Sequence, residues 1–389
     1  MKKIDFKFIF SSFFLWRTSL FIFLFLAFKY LPLQNNFLGG GITNYLAKPY
    51  LWSWLNFDGE HYLSIVYQGY LPLTYFYFPL FPILAKVISF FLNFLLSRGM
   101  EKMALSGLIV SNLSFFTGLI FLWKLLKLDF KENIIQNAVL LLILFPTSFY
   151  FGSFYTESLF FLLTILSFYF ARKGNWLLAG IFGGLSTATR ITGLALLPAF
   201  LIEIWQNNKD SKEKITKLIY PLASTLLIPL GLIFFMFYQW KATGDPLNFL
   251  NQVFIFGSQR SSNFILLPQV FYRYFFKIIP SLNYSYLPVV FTTFMELIVA
   301  LLFLATSIIA FLKLRLSYAL YLTIGYLIPT LSGSFSSLPR YVLILFPGFL
   351  LFSLYFDKIP KSIQFLILFL LTILLGFSTM LFARGYWVS

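Results

Sequence analysis

Apolar residues run in long blocks along this chain, separated by short polar stretches. The first block covers about 8–30, and others cover roughly 78–97, 103–123, 134–151, 156–171, 176–205, 218–240, 286–312, 316–331, 340–356 and 362–383. A hydrocarbon core about 30 Å thick needs about 20 apolar residues in a helix to cross it. The pattern therefore predicts an all-α, polytopic integral membrane protein with one membrane domain over 1–389. The 176–205 block is long for one helix and contains Arg190, Gly193 and Pro198, so it is expected to bend or split. Two longer polar and aromatic segments interrupt the pattern. One is 31–77, with Gly39-Gly40-Gly41; the other is 241–285, with a turn at Gly244-Asp245-Pro246. The aromatic stretch Phe249 to Phe256 is expected to lie flat at the interface.

Composition narrows the class. The 389 residues are 59% hydrophobic and only 11% charged, against about a quarter charged in soluble domains. Lys and Arg number 29 against 13 Asp and Glu, a net charge of +16. These cations punctuate apolar blocks, which marks membrane orientation and not a nucleic-acid stripe. With no Cys, disulfides and thiolate chemistry are excluded; with one His, so is a zinc site of several His or Cys ligands. Met1-Lys2-Lys3 leads into the first block without a small-residue cleavage site, so an uncleaved span is expected. The basic residues also choose a topology. Residues 78–96 carry Pro79, Pro82 and Lys86 and either cross or lie on the surface. If they do not cross and 176–205 counts twice, seventeen of the 29 cations share the cytoplasmic side, among them Lys2, Arg17, Lys124, Arg172, Lys217, Arg315 and Lys361. That gives about eleven spans, a long first outer loop over 31–102 and a second over 241–285. It gathers Asp58, Glu157, Arg190 and Arg340 on one outer side.

Several residues in this arrangement carry candidate chemistry. Asp58-Gly59-Glu60-His61 concentrates two carboxylates and the only histidine in four positions. A carboxylate near lipid is poorly hydrated, which suits a general base; the plainer alternative is that Asp58 caps a surface helix. Glu157 opens a span in wholly apolar surroundings, as a helix cap or a functional carboxylate. Arg190 inside its block needs a partner, which Glu157 or a bound phosphate would supply. Arg340, at the head of another span, reads as an interfacial anchor or a ligand-binding residue. Arg260, Arg273 and Lys277 are weaker candidates.

Four stretches in order resemble the PIG-V-type mannosyltransferase family, within the GT-C superfamily of membrane glycosyltransferases. They are Asp58-Gly59-Glu60-His61-Tyr62 with Gly69-Tyr70; Tyr77-Phe78-Pro79-Leu80-Phe81-Pro82; Phe145-Pro146-Thr147-Ser148 with Tyr155-Thr156-Glu157-Ser158; and Thr189-Arg190-Ile191-Thr192-Gly193. After residue 240 the likeness is vaguer, at Pro339-Arg340-Tyr341 and the Gly385-Tyr386-Trp387-Val388 tail. Phe57 stands where the family has tryptophan, Thr192 where it often has Asn, and no acid follows Gly69-Tyr70. The resemblance implies a GT-C-like catalytic module over 1–240 with surface helices in the first outer loop, followed by a 241–389 section. It implies transfer of a hexose, mannose first, from a polyprenyl-phosphate carrier to a glycolipid or glycan acceptor. In that reading Asp58 is the general base, and Glu60, His61, Glu157, Arg190 and Arg340 bind donor or substrate. No cofactor is required, although two carboxylates leave room for Mg²⁺ or Mn²⁺. The partners are the carrier, the acceptor and membrane lipids, with no nucleic acid. The expected location is a bacterial inner membrane with an outward-facing site, or the endoplasmic reticulum in a eukaryote. The alternative class is a transporter or flippase of lipid-linked sugars, lined by the same intramembrane Arg and Glu.

Overall fold

A computed structural model describes residues 5–92, 99–208, 216–252 and 264–388. Among the described residues the chain is all-α, without strands. The principal helices are α1 (Phe6–Tyr30), α2 (Asp58–Gln68), α3 (Leu80–Phe91), α4 (Met100–Leu126), α5 (Glu132–Ile143), α6 (Glu157–Arg172), α7 (Trp176–Thr187), α8 (Leu196–Asn208), α9 (Leu230–Thr243), α10 (Leu287–Lys313), α11 (Leu316–Thr330), α12 (Phe346–Phe356) and α13 (Lys361–Ala383). Five stretches are long and apolar enough to cross a bilayer: α1, α4, Leu218–Thr243, α10 and α13. A sixth is the pair Leu338–Ile344 and Phe346–Phe356, bent by 84°. Several of the remaining helices that make up the expected eleven are shorter apolar pieces of 10–17 residues.

The 176–205 block does split. Helix α7 ends at Thr187, where the Thr187 hydroxyl donates to the Ile228 carbonyl (2.6 Å) and the Thr189 hydroxyl to the Ser186 carbonyl (2.5 Å). Arg190 is extended (φ −158°, ψ 143°), and a 3₁₀ turn, Ile191–Ala195, leads into α8. The break frees backbone carbonyls in apolar surroundings; the Thr189 hydroxyl bonds that of Ser186, and the Thr187 hydroxyl ties the break to the neighbouring span. Helix α3 has 12 residues, about 18 Å of rise, which does not cross a 30 Å core by itself. The rest of the 78–96 segment includes 93–96, outside the described residues.

Two ends of the bundle are chemically distinct. Buried Glu203 binds Arg315 (2.8 Å) and lies 3.4 Å from Arg172, whose guanidinium also binds Asp129 (2.6 Å). The basic loops at 172 and 315 thus meet at one end, as their charge predicted. Helix α6 separates this end from Glu157 by about 24 Å. Arg17 departs from the expected cytoplasmic group. It sits mid-way along α1, its guanidinium 4.5 Å from the Trp54 ring and in contact with Gly152. Arg17 thus lies against aromatic faces, mid-way along a helix long and apolar enough to cross a bilayer. The expected flat aromatic stretch is also corrected at Phe249, which is 3% exposed and packs with Phe78, Leu232 and Phe235. Those rings offer more apolar area than the interface does. Residues 253–256 lie outside the described residues.

Helix α7 and the 218–243 span run side by side in the same direction, because Gly180 faces Ser224 and Gly184 faces Leu227. Gly231 lies directly on the backbone of α7. A methyl there would fall on the Gly184 carbonyl and within 2.6 Å of the Ala188 amide. Backbone cannot rotate away as a side chain can, so Gly231→Ala should cost about 1–3 kcal/mol or more. Thermal unfolding in detergent checks this: a markedly lowered midpoint is expected, and an unchanged one contradicts the contact.

Candidate active site

The break after α7, the start of α2, the start of α6 and the head of the bent pair converge on one cavity of about 200 Å³. Its lining includes Asp58, Tyr62, Tyr77, Glu157, Arg190, Arg340 and Tyr341. Four charged residues chosen from sequence therefore meet, although Asp58 and Arg340 are 282 residues apart.

Asp58 is the first residue of α2, and the preceding backbone fixes where it points. Asn56 is fully buried; its Oδ1 accepts from Gly39 N–H (2.9 Å) and its Nδ2 donates to the Phe382 carbonyl (2.8 Å). Phe57 is forced to φ +58°, a region that non-glycine residues rarely occupy, and is wedged edge-on to Trp387 at 5.1 Å. Asp58 stands in the first turn of the helix, one residue past the N-cap position, which Phe57 occupies. Its Oδ2 accepts from Arg340 Nη1 at 2.6 Å and its Oδ1 from the Tyr77 hydroxyl at 3.2 Å. Burial, with the Asp58 charge beside it, pushes the Tyr77 hydroxyl well above its ordinary value, so it stays a donor.

Glu157 is 1% exposed and likewise stands one residue past the N-cap position. Its Oε1 accepts from Arg190 Nη1 at 2.6 Å and lies 3.4 Å from Arg340 Nε. The charges form one chain: Arg190, Glu157, Arg340, Asp58. Aromatic faces enclose it, with Arg340 5.2 Å from the Tyr150 ring, 5.3 Å from Tyr155 and 5.2 Å from Tyr341. Arg190 lies 4.8 Å from Tyr341. The Thr147 hydroxyl donates to the Pro339 carbonyl (2.7 Å), so the Phe145-Pro146-Thr147 stretch holds the turn that presents Arg340. The chain's tail supports it from behind, where Tyr150 donates to the Val388 carbonyl (2.5 Å).

Glu60 and His61 do not line the cavity. His61 stacks on Tyr77 at 5.1 Å, outside the Asp58 contact. Burial lowers the His61 pKa, against the opposing pull of Asp58, and burial raises that of Glu60. Arg273 donates to the Gly333 carbonyl (3.0 Å), away from the four charges, and Arg260 is outside the described residues. Sequence reasoning missed the parts played by Tyr77, Tyr150, Tyr155 and Tyr341. Tyr77, Tyr155 and Tyr341 sat inside the quoted motifs, but nothing in their spacing marks which tyrosines face a charge.

The family profile described as Mannosyltransferase (PIG-V) matches residues 14–253, well over half of the 389. The chain belongs to this mannosyltransferase family. Among curated proteins, none matches the sequence. Among solved structures it is similar to ArnT from Cupriavidus metallidurans bound to undecaprenyl phosphate. That overlap has TM-score 0.52 and 12% identity, over 96% of this chain and 76% of that one. The apo oligosaccharyltransferase of Archaeoglobus fulgidus overlaps at TM-score 0.45 and 13% identity, over 95% of this chain and 56% of that one. The fold of this family member is thus GT-C, and the chain is an integral membrane glycosyltransferase.

Proposed function

We propose that the cavity transfers a hexose, mannose, from a polyprenyl-phosphate carrier to a hydroxyl of a lipid-linked or surface glycan, with inversion. The observation that carries this reading is the Asp58–Arg340–Glu157–Arg190 chain in one small cavity. The undecaprenyl phosphate bound by the structurally similar ArnT supports a lipid phosphate as ligand. Guanidinium groups suit phosphate oxygens geometrically. Arg190 and Arg340 hold the carrier phosphate, and Arg340 is drawn from Asp58 as it does so. Asp58 then takes the acceptor's hydroxyl proton on the oxygen that Arg340 has left. The acceptor oxygen forms its bond to the anomeric carbon as the bond to the phosphate oxygen breaks. The two arginines stabilise the charge growing on the leaving phosphate. Glu157 keeps Arg190 oriented.

Both carboxylates are already paired with arginines, a donor set suited to an anion and not to a divalent cation. Transfer should therefore persist in excess chelator; activity lost to chelation and restored by Mg²⁺ or Mn²⁺ contradicts this assignment. We place the site on the outer face of a bacterial inner membrane, opposite the Arg172 and Arg315 loops. The test is binding of polyprenyl phosphate to the purified protein, followed by label transfer from its mannosylated form. Saturable binding lost in Arg190→Met protein that still folds supports the reading. Binding unaffected by that substitution removes the phosphate site.

A further inference from the structure

Gln239 is fully buried on α9 and does not touch the four charges. Both ends of its amide are engaged. Its Nε2 donates to the Tyr75 carbonyl at 2.7 Å, and its Oε1 accepts from Phe249 N–H at 2.9 Å. The two partners fix which end is which, because a carbonyl only accepts and an N–H only donates. Tyr75 belongs to the first outer loop and Phe249 to the second. One helical turn earlier, Phe235 packs against Phe78 (4.8 Å) and Phe249 (5.9 Å), and those two rings meet each other at 5.5 Å. Phe76, Tyr77 and Phe78 wall the cavity directly after Tyr75; Phe249 and Leu250 wall it from the second loop. Tyr77 is also the residue that hydrogen-bonds Asp58.

We infer that Gln239 is a positioning residue for the transfer reaction. It pins both outer loops to α9 so that they form one roof over the cavity, and it holds Tyr77 in reach of Asp58. This inference rests on the reading of the cavity as the transfer site. An apolar residue would serve packing equally well at a buried helix position. An amide bonded at both its nitrogen and its oxygen instead fixes the register of two loops, and one that loses a partner is costly in apolar surroundings. A displacement of about 1 Å at a reacting group costs about a hundredfold in rate, so a slack roof acts chiefly on turnover.

The test uses Gln239→Met, which keeps the length and removes both hydrogen bonds. The chain contains no cysteine, so cysteines introduced at exposed Leu73 and Leu247 report the separation of the two loops through paired spin labels. The expected result is a tenfold or greater fall in kcat, on the scale of such misplacement. Polyprenyl phosphate affinity stays within about threefold, because Arg190 and Arg340 are untouched, and the label distance broadens. A parent-like kcat overturns the inference. So does an equal fall in turnover and carrier affinity, the sign of a merely structural role. If Gln239→Met does not fold, the labelled parent decides: a single narrow distance is expected, and a broad or multiple one overturns the pin. If the parent transfers no hexose, the functional reading fails, while the label distances still judge the pin.

Discussion

Asp58→Asn should lower sugar transfer by about a hundredfold or more and leave the fold intact. The substitution keeps size and shape and removes only the ability to take a proton. Arg340 loses the Asp58 charge at 2.6 Å but keeps Glu157 at 3.4 Å and three aromatic faces. The buried guanidinium therefore remains compensated. Polyprenyl phosphate should bind at least as well as to the parent, because Asp58 no longer competes for Arg340. Rates under saturating donor, beside a carrier-binding isotherm, check both halves. A folded Asp58→Asn protein with near-parent transfer would remove Asp58 from the role of base.

The largest effect on stability is expected at Arg190. Arg190→Met leaves Glu157, 1% exposed, with only the 3.4 Å contact to Arg340. Removing one partner of a buried pair typically costs about 3–5 kcal/mol, because the remaining charge stays desolvated. Adding Glu157→Gln removes that orphaned charge and should recover much of the stability. It should not recover carrier binding, since the guanidinium is still missing. The double variant thus separates folding from phosphate recognition. Unfolding midpoints and carrier affinity across the four proteins supply the cycle. Recovery of both together would make the pair purely structural.

Much of this site was legible because ionisable residues are conspicuous in apolar blocks. Asp58, Glu157 and Arg190 stand out for that reason, and the Arg190 break follows from a cation, Gly193 and Pro198 in an overlong block. The pairing of Asp58 with Arg340 was not legible, since local spacing says nothing about contacts 282 residues apart. Charge counting placed Arg172 and Arg315 at one end, where Glu203 ties them. It misses Arg17 because it reads a cation as a loop marker, whereas this one lies mid-way along an apolar helix against two aromatic rings. His61 drew attention as the only histidine, yet it supports Tyr77 from outside the cavity. Nothing in the local sequence singles out Gln239. Its importance comes from two loops that only the fold brings to it.

The central claim is transfer from a lipid phosphate, and the most direct measurement follows the label. Purified protein in detergent receives polyprenyl-phosphate mannose labelled in the sugar, together with a lipid extract from its host. The expected result is label on a new glycolipid or glycan, with the anomeric configuration inverted and no vesicle required. A protein that binds the carrier yet moves label only between the compartments of sealed vesicles would contradict the account.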